Sequence, residues 1–221
     1  MAPYRVAALI DGTALYFRSR EGRSERLDYE ALNRELLTRD ANPRSQIASF
    51  EPALFFTTSD TQNEGQQKFL TFLQSRIRWT VEPRPVWDAD PLPKDAPWER
   101  GERRNEFIRF DSSIAFALGR LLDRRQRIVV VTDSFALEQP MSAAAEYGSA
   151  EIVLAFFGRQ LDPRWLPILK GSEVKIKFWD LDENSQSLFG RELPKRVATG
   201  LAQLDNESQT AERKVLRYKP I

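Results

Sequence analysis

Apolar positions along the chain fall into two kinds of run. Residues 6–10 ("VAALI"), "EPALFFTT" ending near Thr58, "RIVVVT", "AEIVLAFF" and "EVKIKFW" are short and almost unbroken. That is the pattern of strands covered on both faces in a parallel sheet, where alternation is lost. Between them, apolar residues recur at helical spacing: Tyr29, Leu32, Leu36 and Leu37, then "QQKFLTFLQSRIRW", "DSSIAFALGRLLDRR", "ALEQPMSAAAEYG" with Gly148 as its C-cap, and a short turn of helix around "PRWLPIL". "TVEPRPVW" reads as a further strand whose prolines place it at an edge, and "NEFIRF" as a short strand or extended lead-in. Strands alternating with helices predict an α/β fold, a three-layer α/β/α sandwich around a mostly parallel sheet with right-handed crossovers.

Two segments lack this periodicity. "DADPLPKDAPWERGERR", residues 88–104, runs for 17 residues without an apolar repeat, and a loop of that length in a compact domain is usually functional or disordered. From Asn184 onward the chain is polar, with weak helical spacing at Val197, Leu201 and Leu204. The expected division is a domain over 1–183 and a tail or arm over 184–221. The arm is either solvated, or packed on a second copy or another protein, or laid over the site. No stretch approaches membrane-spanning length, and the first apolar run is too short for a signal-peptide core. A cytoplasmic protein without membrane contact is therefore expected.

Composition narrows the chemistry. The 33 basic and 32 acidic side chains nearly cancel, so a nucleic-acid partner has to be argued from local patches. There is no cysteine and no histidine, which excludes disulfides, thiolate nucleophiles, zinc sites of the usual kind and imidazole acid–base catalysis. Carboxylates, hydroxyls, cations and an oxygen-held metal remain, and oxygen donors suit Mg²⁺ or Mn²⁺.

Asp11 closes the first apolar run and Asp133 follows "RIVVVT", so both fall at the carboxyl ends of predicted parallel strands, where open α/β sheets bind ligands. Asp111 opens the helix between them. Each has an ordinary alternative as a turn residue or N-cap. If the two strands are neighbours, the three carboxylates face one crevice, where they repel and raise one another's pKa unless a divalent cation sits among them. Such a cluster can serve phosphodiester hydrolysis without histidine. Arg18, Arg20, Arg23 and Arg26 follow Asp11, and Arg100, Arg103, Arg104 and Arg109 precede or adjoin Asp111, with Trp98 nearby. Arg18, Arg20, Arg103, Arg104 and Arg109 are candidate contacts to RNA phosphates and Trp98 a stacking platform. Glu99, Glu102 and Glu106 among the later arginines allow a merely solvated loop.

The letters "DGT" at 11–13 invite comparison with haloacid-dehalogenase phosphatases, whose aspartyl nucleophile lies two residues earlier. Here that position is Leu9, which excludes that chemistry. "VAALIDGTALYF", "RFDSSIAFALGRLL", "RIVVVTDSFALEQPMSAAAEYG" and "VKIKFWDLD", in this order over about residues 5–182, together resemble the NYN domains of the PIN-like nuclease superfamily, including LabA-like proteins. The resemblance implies a PIN-like sandwich and metal-dependent RNA cleavage, with Asp11, Asp111 and Asp133 at the family's acidic positions as metal ligands and catalytic residues. The chain departs from the family at Ala14, where Asn is usual, at Ser134 and Phe135, where a second Asp is usual, and near Ala117, where a further acid is common. A metal-dependent endoribonuclease is the first expectation. An RNA-binding or protein-interaction module that has lost turnover is the second.

Overall fold

The structure, a computed structural model, describes residues 5–21, 26–39, 49–50, 53–85, 109–122, 127–171 and 175–189. The first apolar run forms β1 (Arg5–Asp11), buried from Val6 onward. It is followed by α1 (Gly12–Arg18), α2 (Tyr29–Thr38), β2 (Ser49–Phe50) and β3 (Leu54–Ser59). Next come α3 (Glu64–Phe72), prolonged by a π-helical turn over Leu73–Ile77, and β4 (Thr80–Pro85). The second half comprises α4 (Asp111–Leu121), β5 (Arg127–Val131), α5 (Glu138–Tyr147), β6 (Glu151–Phe156), α6 (Trp165–Lys170), β7 (Ile176–Asp180) and α7 (Ser185–Leu188).

The strands lie in the order β4-β3-β1-β5-β6-β7, and every strand pair among the described residues is parallel. Short β2 pairs with Arg5 and Val6, while β3 pairs with Leu9, Ile10 and Asp11. Because β5 takes the opposite edge along residues 6–10, β2 and β3 share one edge of β1. The chain thus winds outward from β1 to β4, crosses back to β5 and winds outward to β7. In open α/β sheets such a reversal is where a ligand crevice forms, which here falls at the carboxyl ends of β1 and β5. The expected α/β class and parallel sheet are present, and the proline-bearing strand is the edge strand β4.

The core follows from the apolar runs. β5 and β6 are buried almost throughout, and an aromatic group of Tyr29, Phe55, Phe69 and Trp79 packs against β1 and β3, with Phe55 stacked on Trp79 at 5.5 Å between ring centroids. Gly12 is required where α1 meets this group, since a Cβ there would lie 2.3 Å from the Phe55 ring. Gly148 does cap α5, but in an extended conformation; a Cβ would meet the Ala144 carbonyl oxygen at 2.5 Å.

Two expectations change. The polar segment from residue 184 does not begin as a free arm: α7 packs beside α2, the Asp28 N–H donates to the Leu188 carbonyl (2.8 Å), and Leu27 bridges Phe189. Leu188 and Phe189 are buried, so the packed structure extends past 183 because this apolar pair has a seat beside Leu27. The second is that, of the turn and N-cap alternatives for Asp11, the N-cap is realised, since residues 12–18 form a helix that brings Arg18 to Asp133. Residues 88–104, the lead-in over 105–108, and Val197, Leu201 and Leu204 lie outside the described residues.

Candidate functional site at the strand-order reversal

Asp11 takes the capping role with one oxygen and leaves the other unpaired. It is the N-cap of α1, its Oδ1 accepting the Ala14 N–H at 2.9 Å. Its Oδ2 is buried and has no hydrogen-bond partner. Only 1% of the residue is exposed. Burial raises its pKa, the charges of Asp133 and Asp111 add to this, and the Ala14 bond and Arg109 oppose it; the carboxyl is pushed up to about 7. The carboxylate form is thus disfavoured by burial and by its acidic neighbours, with one backbone bond and the Arg109 charge to offset them.

Asp111 is the first residue of α4, whose N-cap is Phe110 with no side-chain cap bond. The capping alternative for Asp111 therefore does not hold, and its Oδ1 is also buried without a partner. Five buried side-chain polar atoms among the described residues lack a partner, and three of them, on Asp11, Thr13 and Asp111, belong to the crevice and its walls. Buried polar atoms are rarely left unpaired, which makes this concentration the candidate site among the described residues.

Asp133 is equally buried, at 7% exposure, but fully occupied. Arg18 Nε donates to its Oδ2 at 3.0 Å, and Arg109 Nη1 donates to its Oδ1 at 2.8 Å. It caps nothing: Ser134 caps the following turn, accepting the Ala136 N–H at 3.3 Å. Beyond Arg18 the polar chain continues, since Arg18 Nη1 donates to Glu21 Oε1 (2.6 Å) and Gln160 Nε2 to Glu21 Oε2 (3.2 Å). Thr13, Glu21 and Gln160 were not anticipated; only Thr13 carried a sequence signal, as the third letter of "DGT".

The three acids thus meet at the reversal, yet among the described residues no group of three or more His, Cys, Asp or Glu side chains is gathered so as to hold a metal ion. The free oxygens of Asp11 and Asp111 fit a hard divalent cation, being unpaired, oxygen-only and anionic. Asp133 fits one only after an arginine lets go. Of the candidate RNA contacts, Arg18 and Arg109 are in the crevice, and Arg20 lies over the Tyr16 ring at 4.4 Å. Trp98, Arg103 and Arg104 lie outside the described residues. Of the positions that depart from the resemblance, Ala117 and Phe135 have packing roles, since Ala117 is buried and Phe135 meets Trp165 edge-on at 5.4 Å with Arg164 above it, while Ala14 and Ser134 act in the caps already described. A strand-end acid need not be functional. Asp180, closing β7, spends its Oδ1 on the N–H groups of Gly158 and Asp182, both at 2.8 Å.

No protein-family model matches the chain, and no curated protein matches it. Among solved structures it is similar to a protein of unknown function from Vibrio parahaemolyticus, at 11% identity and a TM-score of 0.58, over 85% of this chain and 97% of that one. The likeness is one of fold. No helix among the described residues is long and apolar enough to cross a membrane.

Proposed function

We propose that the crevice between β1 and β5 binds RNA and cleaves its phosphodiester bonds with Mg²⁺ or Mn²⁺, as an NYN-like endoribonuclease working in the cytoplasm. The observation that carries this reading is the buried, unpartnered Oδ2 of Asp11 facing the charges of Asp111 and Asp133. Asp11 and Asp111 would hold the cation, which when bound supplies charge neutralisation at the phosphate and activation of water. The chain's own residues do the rest. The Ala14 N–H fixes the Asp11 carboxyl, so its other oxygen keeps one direction. Arg18 and Arg109 offer guanidinium donors to phosphate oxygens, the bidentate geometry that arginine suits.

Full-length protein given labelled RNA and Mn²⁺ should cleave it, and Asp11→Asn should slow cleavage by about 100-fold or more. Cleavage that survives Asp11→Asn would assign the activity to another site. One observation favours a second reading, an RNA-binding or protein-interaction module without turnover: both oxygens of Asp133 are taken by arginines. That reading expects RNA binding with steep salt dependence and no cleavage at any metal concentration.

A further inference from the structure

Asp133 is a carboxylate held between two guanidiniums, each of its oxygens accepting from a different arginine and the group almost wholly buried. The two arginines come from different parts of the chain: Arg18 ends α1, and Arg109 stands two residues before Asp111 at the start of α4. Both are substantially exposed, with 38% and 47% of their side chains open to solvent, while their shared acceptor is not. A cationic pair reachable from outside and filled from inside by an acid of the same chain has the form of an anion receptor with an internal tenant.

We infer that Asp133 occupies the phosphate seat formed by Arg18 and Arg109, and that an RNA phosphodiester enters by displacing it. This rests on the RNA-binding half of the proposed function. It goes further in assigning the two arginines one exchangeable ligand position and in making Asp133 available only after substrate arrives. The released carboxylate would then stand beside Asp11 and Asp111, so anion and cation would each favour the other's binding, reciprocally. Glu21, on the other side of Arg18, keeps that arginine aimed while the exchange takes place.

The test needs no metal. Binding of a fluorescein-labelled 2′-O-methyl oligoribonucleotide, which resists cleavage, is measured by anisotropy in EDTA for the full chain, for Asp133→Asn and for Asp111→Asn. Both substitutions remove one formal negative charge from the crevice, but only the first loosens the hold on the arginines, leaving them a neutral amide with one acceptor oxygen where a carboxylate met both. Asp133→Asn should bind about tenfold more tightly than the unmodified protein, the scale of a charged hydrogen bond no longer competed for, and Asp111→Asn no more than about threefold. Arg18→Gln should weaken binding by a similar tenfold. Asp133→Ser is measured alongside, so a folding defect in one variant leaves the comparison intact. Equal gains for the Asp133 and Asp111 variants, no gain for either Asp133 variant, or no oligonucleotide binding by any protein would each overturn the displacement. Mn²⁺-dependent cleavage with equal gains would sink the displacement alone. A tenfold gain with no cleavage would sink the nuclease reading and leave the displacement standing.

Discussion

The two ends of the same strands treat buried charge in opposite ways. At the amino ends, Arg127 of β5 is buried and its demands are met: it donates to Glu151, its neighbour across the β5–β6 ladder, and to the Arg39 carbonyl at 2.8 Å, and it lies over the Trp179 ring. Glu151 also pairs with Lys177 of β7. Burial works against the Glu151 charge, but the bonds from Lys177 and Arg127 outweigh it and hold its pKa below the usual value. At the carboxyl ends, Asp11 and Asp111 keep unpaired buried oxygens, and the Asp11 carboxyl is pushed the other way, up to about 7. One end is electrostatically complete and the other incomplete. The number of buried charges does not separate a structural cluster from a site; whether each one is answered does.

The largest effect should come from breaking the complete end. Arg127→Met leaves Glu151 with Lys177 alone and the Arg39 carbonyl without its donor, and should cost about 3 kcal/mol in urea unfolding. A loss below about 1 kcal/mol would mean that the amino-end cluster is as dispensable as a surface pair, and the contrast between the ends would fall.

At the incomplete end the sign reverses. Asp11 has its pKa raised to about 7 from an ordinary 3.8, so the folded state holds a proton that the unfolded state has lost throughout the interval between those values. Folding stability attributable to Asp11 is greatest at the acid side of that interval, declines as pH rises through it, and is level above about 7. In EDTA, Asp11→Asn should therefore stabilise the protein by about 2 kcal/mol more at pH 8 than at pH 5, with its cap to Ala14 preserved. Glu151, with a lowered pKa, contributes stability that is present above its ordinary 4.5 and is lost as pH falls through its folded value. Melting temperature against pH should thus rise from 8 toward 5 and fall below about 4.5; Asp11→Asn removes the first slope and Glu151→Gln weakens the second. A profile that Asp11→Asn leaves unchanged would show that Asp11 carries no buried charge.

How much of this contrast was legible in the sequence depends on the separation of the partners. β1, β5 and β6 stand out as unbroken apolar runs, and the acids that close or follow β1 and β5 are visible at once, because a strand's end is a local property. The parallel order then places Asp11 and Asp133 together. The hold on Asp133 was not legible: Arg18 is 115 residues away in sequence and reaches it only because residues 12–18 coil into a helix. Like charges at Asp11 and Asp133 suggest that neutralising either one relieves repulsion. The two ion pairs oppose that relief at Asp133, where neutralisation also weakens the hold of Arg18 and Arg109. The seat of Leu188 and Phe189 beside Leu27 was hidden for the same reason, since nothing near residue 184 announces a contact with residue 27.

Asp133→Asn gives a smaller and opposite test. It removes the charge that Arg18 and Arg109 share and leaves them one amide oxygen in place of two carboxylate oxygens, but both are open enough to solvent for water to screen much of the cost. A loss of about 1 kcal/mol in EDTA is expected, measured by urea unfolding beside Asp11→Asn. A gain matching that of Asp11→Asn would mean that the arginines do not hold Asp133 in solution, and that the two acids act as one repelling pair.

The smallest effect separates aiming from stability. Glu21 accepts from Arg18 Nη1 at 2.6 Å, with half of its own side chain exposed, and from Gln160. Exposed pairs of this kind contribute little, so Glu21→Gln should change folding stability by no more than about 0.5 kcal/mol. The amide retains an acceptor oxygen for either neighbour and loses the charge, so Arg18 is less firmly aimed while the crevice becomes slightly more positive. These act against each other on RNA affinity, which should move by less than about threefold at moderate salt. A stability loss approaching that of Arg127→Met would instead make the polar chain from Gln160 through Glu21 and Arg18 to Asp133 a structural unit like the one at the amino ends. The carboxyl end would then be complete in all but Asp11 and Asp111, and the exchange of Asp133 would have to break a cooperative network instead of two separate ion pairs.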